Sequence, residues 1–428
     1  MLQEYQKPHV RTAPLIREWL DANADKCRSG NCPPALKPAL DQLIQEADAA
    51  LEQGPWSVMD KKHLPPDEVD PERANLHRMC WREADPPVPP TKHDYVSLAP
   101  YYWPNPDTAD GMPYISRDGQ VNPEVQDYDS HGLQMVRANA ETLTLAWKFT
   151  GKAQYAERAA ELLRVWFINP DTAMNPHLQY AQHTPGNGGF KSYYAQRYIG
   201  RYKDGREFYA AYGGMIDGNA FPALLEVVRI LAESGAWSDA DDAALRDWFH
   251  RYMRWMLESQ LAHDEATALN NHASWYCAQL VATAAYCNDK KILMQALNRD
   301  TKVRIMLQIE PDGMQPSEMG RAVSFRYVNF ALASFYQCAA IAENVGTDLW
   351  NYETEDGRGI RVAAEWLIER VKGEKEFTGK NIHGLEYVLA APLIRVAALK
   401  YDRPDWAAII NELPGYPENH RYRLLYPA

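Results

Sequence analysis

Sustained two-residue alternation of β-branched side chains is nearly missing from this 428-residue sequence, which leaves few strands and no sheet to build a fold on. A basic surplus is missing too: 45 Lys and Arg face 57 Asp and Glu, a formal charge of −12. A general nucleic-acid binder needs the opposite balance to displace counterions from phosphates, and docking on an anionic membrane asks for the same. Neither nucleic acid nor membrane is therefore an expected partner. No run approaches the roughly 18 to 20 uncharged apolar residues of a membrane span. Cysteines number only six and form no CxxC pair, which removes the usual structural zinc site. HExxH, GxSxG and Gly-rich phosphate cradles are also lacking, so no metal and no cofactor are expected. The opening residues, Met1 to His9, lack the basic and apolar regions of a signal peptide. That leaves a cytoplasmic protein or one whose signal has been removed.

What is present suffices for a large core, with 46% hydrophobic and 24% charged residues. Length alone suggests about two or three domains, a prior that one large repeating architecture defeats. From about residue 130 the apolar period is helical. Tyr155, Ala159, Leu162, Leu163 and Trp166 form one stripe. Leu245, Trp248, Phe249, Tyr252, Met253 and Met256 form another behind an N-cap at Ser238. A third, Phe221, Leu225, Val228 and Leu231, closes at Ser234-Gly235. Further helices are predicted near 36–53, 131–150, 271–287, 290–309, 323–344, 360–372, 384–400 and 404–412. No fixed repeat length appears, which disfavours tetratricopeptide or HEAT solenoids. An all-α ring of antiparallel helix pairs, an (α/α) toroid spanning 1–428 as one domain, accounts for the length. Cys80, Cys277, Cys287 and Cys338 have apolar neighbours and read as buried thiols. Cys27 and Cys32 bracket a short loop, and a bridge between them would imply an oxidising compartment.

Two stretches break the helical texture. Residues 54–128 carry Pro65-Pro66, Pro86-Pro87, Pro89-Pro90, Pro100, Pro104, Pro106 and Pro113, a density no helix tolerates. Tyr95, Tyr101, Tyr102, Trp103 and Tyr114 set it apart from a linker, and it reads as an ordered lid or cleft wall. Residues 176–215 hold Pro185-Gly186-Asn187-Gly188-Gly189, then a basic island in which Lys191, Arg197, Arg201, Lys203 and Arg206 alternate with tyrosines. This reads as a substrate-binding loop. The aromatic balance fits such clefts: 25 Tyr and 13 Trp against 10 Phe, side chains with an apolar face and a polar tip. Most of them are expected simply to line helix interfaces.

Three clusters stand out chemically. Asn270-Asn271-His272 opens a predicted helix, where free N–H groups and the dipole favour an anion; the alternative is a capping Asn and a packed His. Glu318, Arg321 and Tyr327 form the second. Arg321 and Tyr327 are six residues apart, about 240° around a helix. They meet at one ligand only if the helix begins between them or the ligand lies across its end, and otherwise Arg321 pairs with Glu318 and Tyr327 is core. His177, Tyr180, Gln182, His183 and Asn187 form the third, at spacings that suit ligand contacts better than a metal.

Together these motifs resemble a known family. Asp94-Tyr95-Val96-Ser97-Leu98-Ala99-Pro100-Tyr101-Tyr102-Trp103-Pro104-Asn105-Pro106, then Gly111-Met112-Pro113-Tyr114 and Arg117-Asp118-Gly119, resemble the signature of the alginate-lyase superfamily. So do Pro176 to Gln182, Met215-Ile216-Asp217, Asn270-Asn271-His272 and Glu318 with Arg321 and Tyr327. The Trp-Pro-Asn-Pro loop is more similar to polysaccharide lyase family 38 than to the family 5 enzymes. Segments 62–91 and 187–212 are longer than the family pattern.

The resemblance implies an (α/α) toroid that cleaves a β-1,4-linked uronic acid polymer by syn β-elimination, with an anionic polysaccharide or oligosaccharide as substrate. It implies that Asn271, His272 and Arg321 neutralise the uronate carboxylate and that Tyr327 serves as base, acid or both, with His272 the alternative base. A tyrosine base must have its pKa depressed, for which Arg321, Arg326 or His272 are the means. Tyr180, Gln182, His183, Asn187, Lys191 and Arg326 complete the substrate cradle, with Tyr102 and Trp103 as lid. Mannuronate and glucuronate share the geometry at C4 and C5, so poly-mannuronate and glucuronan are both expected substrates. A periplasmic or secreted location follows from the same resemblance. Two other functions compete: a toroidal glycoside hydrolase using Asp217 and Glu318, and a non-catalytic binder of acidic glycans.

Overall fold

The computed structural model describes residues 11–63, 91–185, 197–201, 207–210, 214–413 and 416–427, with 197–201 and 207–210 as backbone only. The α-helices are α1 (Arg17–Arg28), α2 (Lys37–Leu51), α3 (Asp129–Thr150), α4 (Ala153–Leu163), α5 (Phe221–Leu231) and α6 (Asp239–Glu258). They continue with α7 (Gln260–Ala266), α8 (Asn271–Tyr286), α9 (Lys290–Gln295), α10 (Lys302–Gln308) and α11 (Pro316–Met319). The chain ends with α12 (Ser324–Glu343), α13 (Ile360–Val371), α14 (Ala391–Lys400), α15 (Pro404–Ile409) and α16 (Tyr422–Leu425).

Burial sorts these helices into two layers. Helices α3, α8, α12 and α14 are buried on all sides: every residue from Val136 to Lys148 in α3 and from Ala273 to Ala284 in α8 is covered. Helices α4, α6 and α13 bury one stripe only and show a polar face to solvent. These inner helices and α5 touch in the order α3, α5, α8, α12, α14. The ends of the chain complete the circuit, since Gln337 on α12 donates to the Thr12 carbonyl at 2.7 Å and Tyr426 to the Ala13 carbonyl at 3.2 Å. This is the (α/α) toroid, mostly helical with little strand.

Helix limits follow local chemistry. Ser238 and Asp241 form a reciprocal capping box at the start of α6. Gly151, at φ 74°, stops α3 in the left-handed conformation. Around α5 and α6, Phe167, Phe221, Trp248, Phe249 and Tyr252 form an aromatic cluster, edge to face for Phe167–Trp248 and Phe221–Tyr252 with ring centroids 4.9 Å and 5.2 Å apart, and stacked for Trp248–Tyr252. Much of the tyrosine and tryptophan content thus lines helix interfaces, as expected. Helices α1, α7, α11 and α16 were not predicted; the last three are seven residues or fewer, too short for a period to show. Residues 384–390 precede α14 as a loop with a 3-10 turn, where a longer helix is predicted from sequence.

The strands are few and local. β1 (Val96–Leu98) pairs in parallel with β4 (Tyr180–His183), and β2 (Tyr102–Trp103) pairs antiparallel with β3 (Ile115–Ser116). β5 (Arg197–Arg201) and β6 (Glu207–Ala210) form an antiparallel ribbon in the basic island. The β1–β4 pair joins the Pro-rich segment to the loop after residue 176, so the two expected cleft walls are stitched together. Cys27 and Cys32 form a disulfide, while Cys277 and Cys338 are buried thiols. Cys287 is only half-buried and points its thiol at the Arg246 carbonyl, so it is less enclosed than its apolar neighbours suggest. Cys80 lies outside the described residues.

Candidate active site

Arg321 and Tyr327 meet because α12 begins between them, at Ser324. The Arg321 guanidinium lies over the Tyr327 ring, 3.6 Å from its centroid. Asp118 grips the same guanidinium from the Pro-rich segment: Nη2 donates to Oδ1 at 2.5 Å and Nε to both carboxylate oxygens at 3.2 Å. Oδ2 also accepts from the Ala322 N–H at 2.8 Å. Gly119, at φ 79°, turns the chain just after Asp118 in a conformation that a side chain would strain. Arg321 therefore pairs with Asp118 and not with Glu318. Burial works against the Arg321 charge, but Tyr327 and Asp118 outweigh it and hold the guanidinium above its ordinary value.

The Tyr327 hydroxyl donates to the Tyr101 hydroxyl at 2.9 Å. Burial pushes the Tyr327 pKa well above its ordinary value and Tyr101 adds to the rise, while Arg321 opposes it without prevailing. The depression that a resting phenolate needs is not found. Arg326, the other cation expected beside Tyr327, is turned toward Glu386 and donates to both of its oxygens at 2.7 Å.

The Asn-Asn-His motif opens α8 as predicted, with Asn270 as N-cap accepting from the His272 N–H at 3.2 Å. The anion at this helix start is the protein's own. Glu318 accepts from the Asn271 backbone N–H at 2.6 Å and from its side-chain amide at 2.8 Å. Asn271 is 1% exposed, so its amide serves Glu318 and not the cleft. His272 and Arg321 keep 14% and 23% of their side chains exposed and can meet a ligand. Glu318 itself is fully buried; burial raises its pKa, only partly offset by the Asn271 donors and by the nearby charges of Arg321 and His272. Those two influences on one carboxyl tie the α8 and α12 halves into one site. On the far side of His272, Nδ1 lies 2.9 Å from Glu265 Oε1.

Asp217 organises the cleft wall. It accepts from Ser97 Oγ at 2.5 Å, Gln182 Nε2 at 2.8 Å and the Tyr95 hydroxyl at 3.0 Å. Gln182, at φ 52°, also donates its backbone N–H to Ser97 Oγ at 2.7 Å. Burial raises the Asp217 pKa against the pull of these donors. His183 follows Gln182, and its burial pushes its pKa down to about 4. Tyr180 packs edge-on to His177, with ring centroids 6.2 Å apart. Trp103 donates its indole N–H to the Gln120 carbonyl at 2.9 Å, with Arg117 over its ring. Tyr102 is its neighbour in β2 and pairs with Ser116. Asn187 and Lys191 lie outside the described residues. Among the described residues, no three His, Cys, Asp or Glu side chains are grouped so as to hold a metal ion.

A family model described as alginate lyase matches residues 48–377. The chain belongs to the alginate lyase family. A crystal structure of an alginate lyase from Bacteroides ovatus is 31% identical, with a TM-score of 0.80 over 98% of this chain and 99% of that one. Alginate lyase A1-III from Sphingomonas species A1 is 16% identical with a TM-score of 0.50 over 96% of this chain and 94% of its own. A variant of A1-III complexed with a tetrasaccharide is 15% identical with a TM-score of 0.52, over 97% and 95% of the two chains. No curated protein sequence matches. The protein is accordingly a polysaccharide lyase. No helix among the described residues is long and apolar enough to cross a membrane.

Against the alginate-lyase motifs, three further residues enter the site. Tyr101, Asp118 and Glu265 each touch a predicted site residue. Tyr101 and Asp118 sit inside the motifs that carry the resemblance, next to Tyr102 and two residues after Ser116. Glu265 lies in a seven-residue helix with no motif, and no local spacing ties it to His272 on the next helix.

Proposed function

We propose that the enzyme cleaves a β-1,4-linked uronan, poly-mannuronate or glucuronan, by syn β-elimination. The observation that carries this reading is the Arg321–Tyr327 stack, a half-buried cation against a proton-transfer group, with the charges of Arg321 and His272 both reaching the Glu318 carboxyl.

Elimination removes the proton at C5 and spreads the resulting charge into the adjacent carboxylate, so the barrier falls when a fixed cation meets that carboxylate. Arg321 fills that role, anchored by Asp118. Its guanidinium is already oriented, so little reorganisation accompanies the reaction. The raised pKa of Tyr327 supports its role as the acid: it rests protonated and gives its proton to O4 as the C4–O4 bond breaks. Before that step His272 takes the C5 proton; the electron pair of the C–H bond is held by the neighbouring carboxylate and forms the C4–C5 double bond as O4 departs. Tyr101 receives the Tyr327 hydrogen bond in the resting state and steadies the phenolate left behind. Asn271 acts from below, holding Glu318 and fixing the start of α8.

Mannuronate and glucuronate differ at C2 and present the C5 hydrogen and O4 on the same face. One acid and one base on one side of the chain therefore serve both polymers, and guluronate requires another arrangement. The segments 54–128 and 176–215 form the lid and substrate loop of one catalytic domain, with Tyr102, Trp103, Tyr180, Gln182 and His183 along the bound chain. The Cys27–Cys32 disulfide favours an oxidising, periplasmic or extracellular setting. Incubation with each pure uronan, followed by ultraviolet absorbance and mass spectrometry of the products, tests the reading: unsaturated uronates support it, and intact polymer refutes it.

A further inference from the structure

We propose that Asn381 is a positioning residue for the reaction: it caps α12 from outside and so fixes Tyr327, an inference that rests on the lyase reading above. Helix α12 begins at Ser324, between Arg321 and Tyr327, without a cap of its own. Its N-cap residue is Val323, whose side chain accepts no hydrogen bond. The first N–H groups of a helix have no partner within it. Here they are met by the loop 379–386, which lies between α13 and α14. Asn381 Oδ1 accepts from the Phe325 N–H at 2.9 Å. The Lys380 carbonyl accepts from the Ser324 N–H at 2.9 Å and from its hydroxyl at 2.8 Å. Asn381 Nδ2 donates to the Gly379 carbonyl at 2.9 Å, which turns the amide oxygen toward the helix. Glycine at 379 permits this close approach, since a Cβ there would run into Ser324 Oγ.

The same loop grips the chain beside both members of the stack. Ile382 donates its N–H to the Ala322 carbonyl at 3.0 Å, next to Arg321, and Asn381 bridges antiparallel to Val323. Glu386 holds Arg326, the residue before Tyr327. His383 Nε2 lies 3.1 Å from the Gly119 carbonyl, beside the Asp118 that holds Arg321. Phe377 and Tyr387 flank the loop and pack edge-on against Phe325, with ring centroids 5.3 and 5.6 Å away. A cap commonly serves stability alone, as Ser238 does at the start of the outer helix α6. Asn381 differs in its place, because the N–H it holds belongs to the turn that carries Tyr327. Without that acceptor the turn frays, and both the Tyr327 hydroxyl and the ring under Arg321 lose their fixed position. A displacement of about 1 Å at a reacting group costs about 10²-fold in rate. Asn381 touches no substrate atom in this scheme and acts through Tyr327.

The experiment uses the full-length protein with Asn381→Ala, Asn381→Asp, Tyr327→Phe and the Asn381→Ala, Tyr327→Phe double variant, assayed on whichever uronan the wild type cleaves. Asn381→Ala is expected to lower kcat by about 10- to 10²-fold with KM within about threefold. Asp keeps an acceptor for the Phe325 N–H, so Asn381→Asp is expected to return kcat to within about threefold of the wild type. Ser238→Ala removes a cap from an outer helix and controls for stability: it is expected to lower Tm by a similar few degrees and leave kcat within about twofold. In the Tyr327→Phe background, Asn381→Ala changes the residual kcat by less than about threefold, because the group it acts through is gone. Hydrogen exchange of the free wild type is expected to show a protected Phe325 amide. A kcat for Asn381→Ala no lower than that of Ser238→Ala, no recovery in Asn381→Asp, or losses that multiply in the double variant overturns the proposal. If the Ala variant does not fold, exchange in the wild type decides: a Phe325 amide that exchanges as an unprotected one overturns it. The exchange readout needs no substrate, so failure of the lyase reading, a wild type without unsaturated product, remains a separate outcome.

Discussion

Arg321 stacks its guanidinium on the Tyr327 ring, 3.6 Å from the centroid, while Asp118 holds the same group by its edge. The arrangement leaves a cation fixed between a protein carboxylate and a buried phenol. It keeps Tyr327 close to positive charge without lowering its pKa below the ordinary value, because burial dominates. The tyrosine is therefore a proton donor at rest, and several expectations depend on that.

Replacing Tyr327 by Phe removes the O–H and little else, since the ring and its stack remain. Turnover is expected to fall about 10²- to 10⁴-fold while substrate binding, measured by calorimetry, stays nearly intact. The pH profile carries a sharper test. If Tyr327 is the acid, kcat/KM shows no rise with an ionising phenol between about pH 8 and 10. A rise across that range, lost in Tyr327→Phe, would make it the base.

Asp118 orients Arg321, so Asp118→Ala should lower kcat/KM by about 10²-fold through misplacement of the cation. Its own ionisation adds an acid-stability signature. Burial tends to raise the Asp118 pKa, but Arg321 and the Ala322 N–H hold it below its ordinary value. The stabilisation is therefore complete above about pH 4 and disappears as the pH falls through the lowered native value. Thermal melts of wild type and Asp118→Asn below about pH 4 should converge.

Much of this site was legible in the sequence. The Asn-Asn-His helix start follows from capping chemistry alone, and the stripes of α4 and α6 from their period. The six-residue gap between Arg321 and Tyr327 offers a helix beginning between them as one way for the two to meet, and the helix does begin there, at Ser324. Partner identity was not legible. Whether Arg321 meets Glu318 or Asp118 depends on a contact spanning 203 residues, which no local spacing encodes. The choice between base and acid for Tyr327 is not legible for a related reason: neighbouring cations can be read from sequence, but the burial that outweighs them cannot.

Glu318 links two halves of the site and separates structural from catalytic roles. Glu318→Ala leaves the Asn271 N–H and amide without their buried acceptor, at a cost of about 1–3 kcal/mol, measurable by denaturant unfolding. Activity should fall with it. Glu318→Gln keeps one acceptor and should recover most of the stability. A hydrolase using Glu318 and Asp217 would instead lose all turnover in both variants and release reducing ends without unsaturation.

His183 makes a second pH prediction of opposite chemical type. Burial lowers its pKa to about 4 from the ordinary histidine value of about 6.5, so folding disfavours its protonation. The unfolded chain takes the proton first, and stability falls as the pH drops from about 6.5 toward 4. The melting temperature of His183→Asn should decline less across that window than that of the wild type.

The most direct test of the central claim is ultraviolet absorbance on incubating the purified enzyme with poly-mannuronate and glucuronan in parallel, beside Tyr327→Phe. The account predicts rising absorbance from unsaturated uronate ends on at least one polymer and almost none with the variant. A folded wild-type enzyme that yields no absorbance on any uronan, or yields reducing ends without it, would contradict the account.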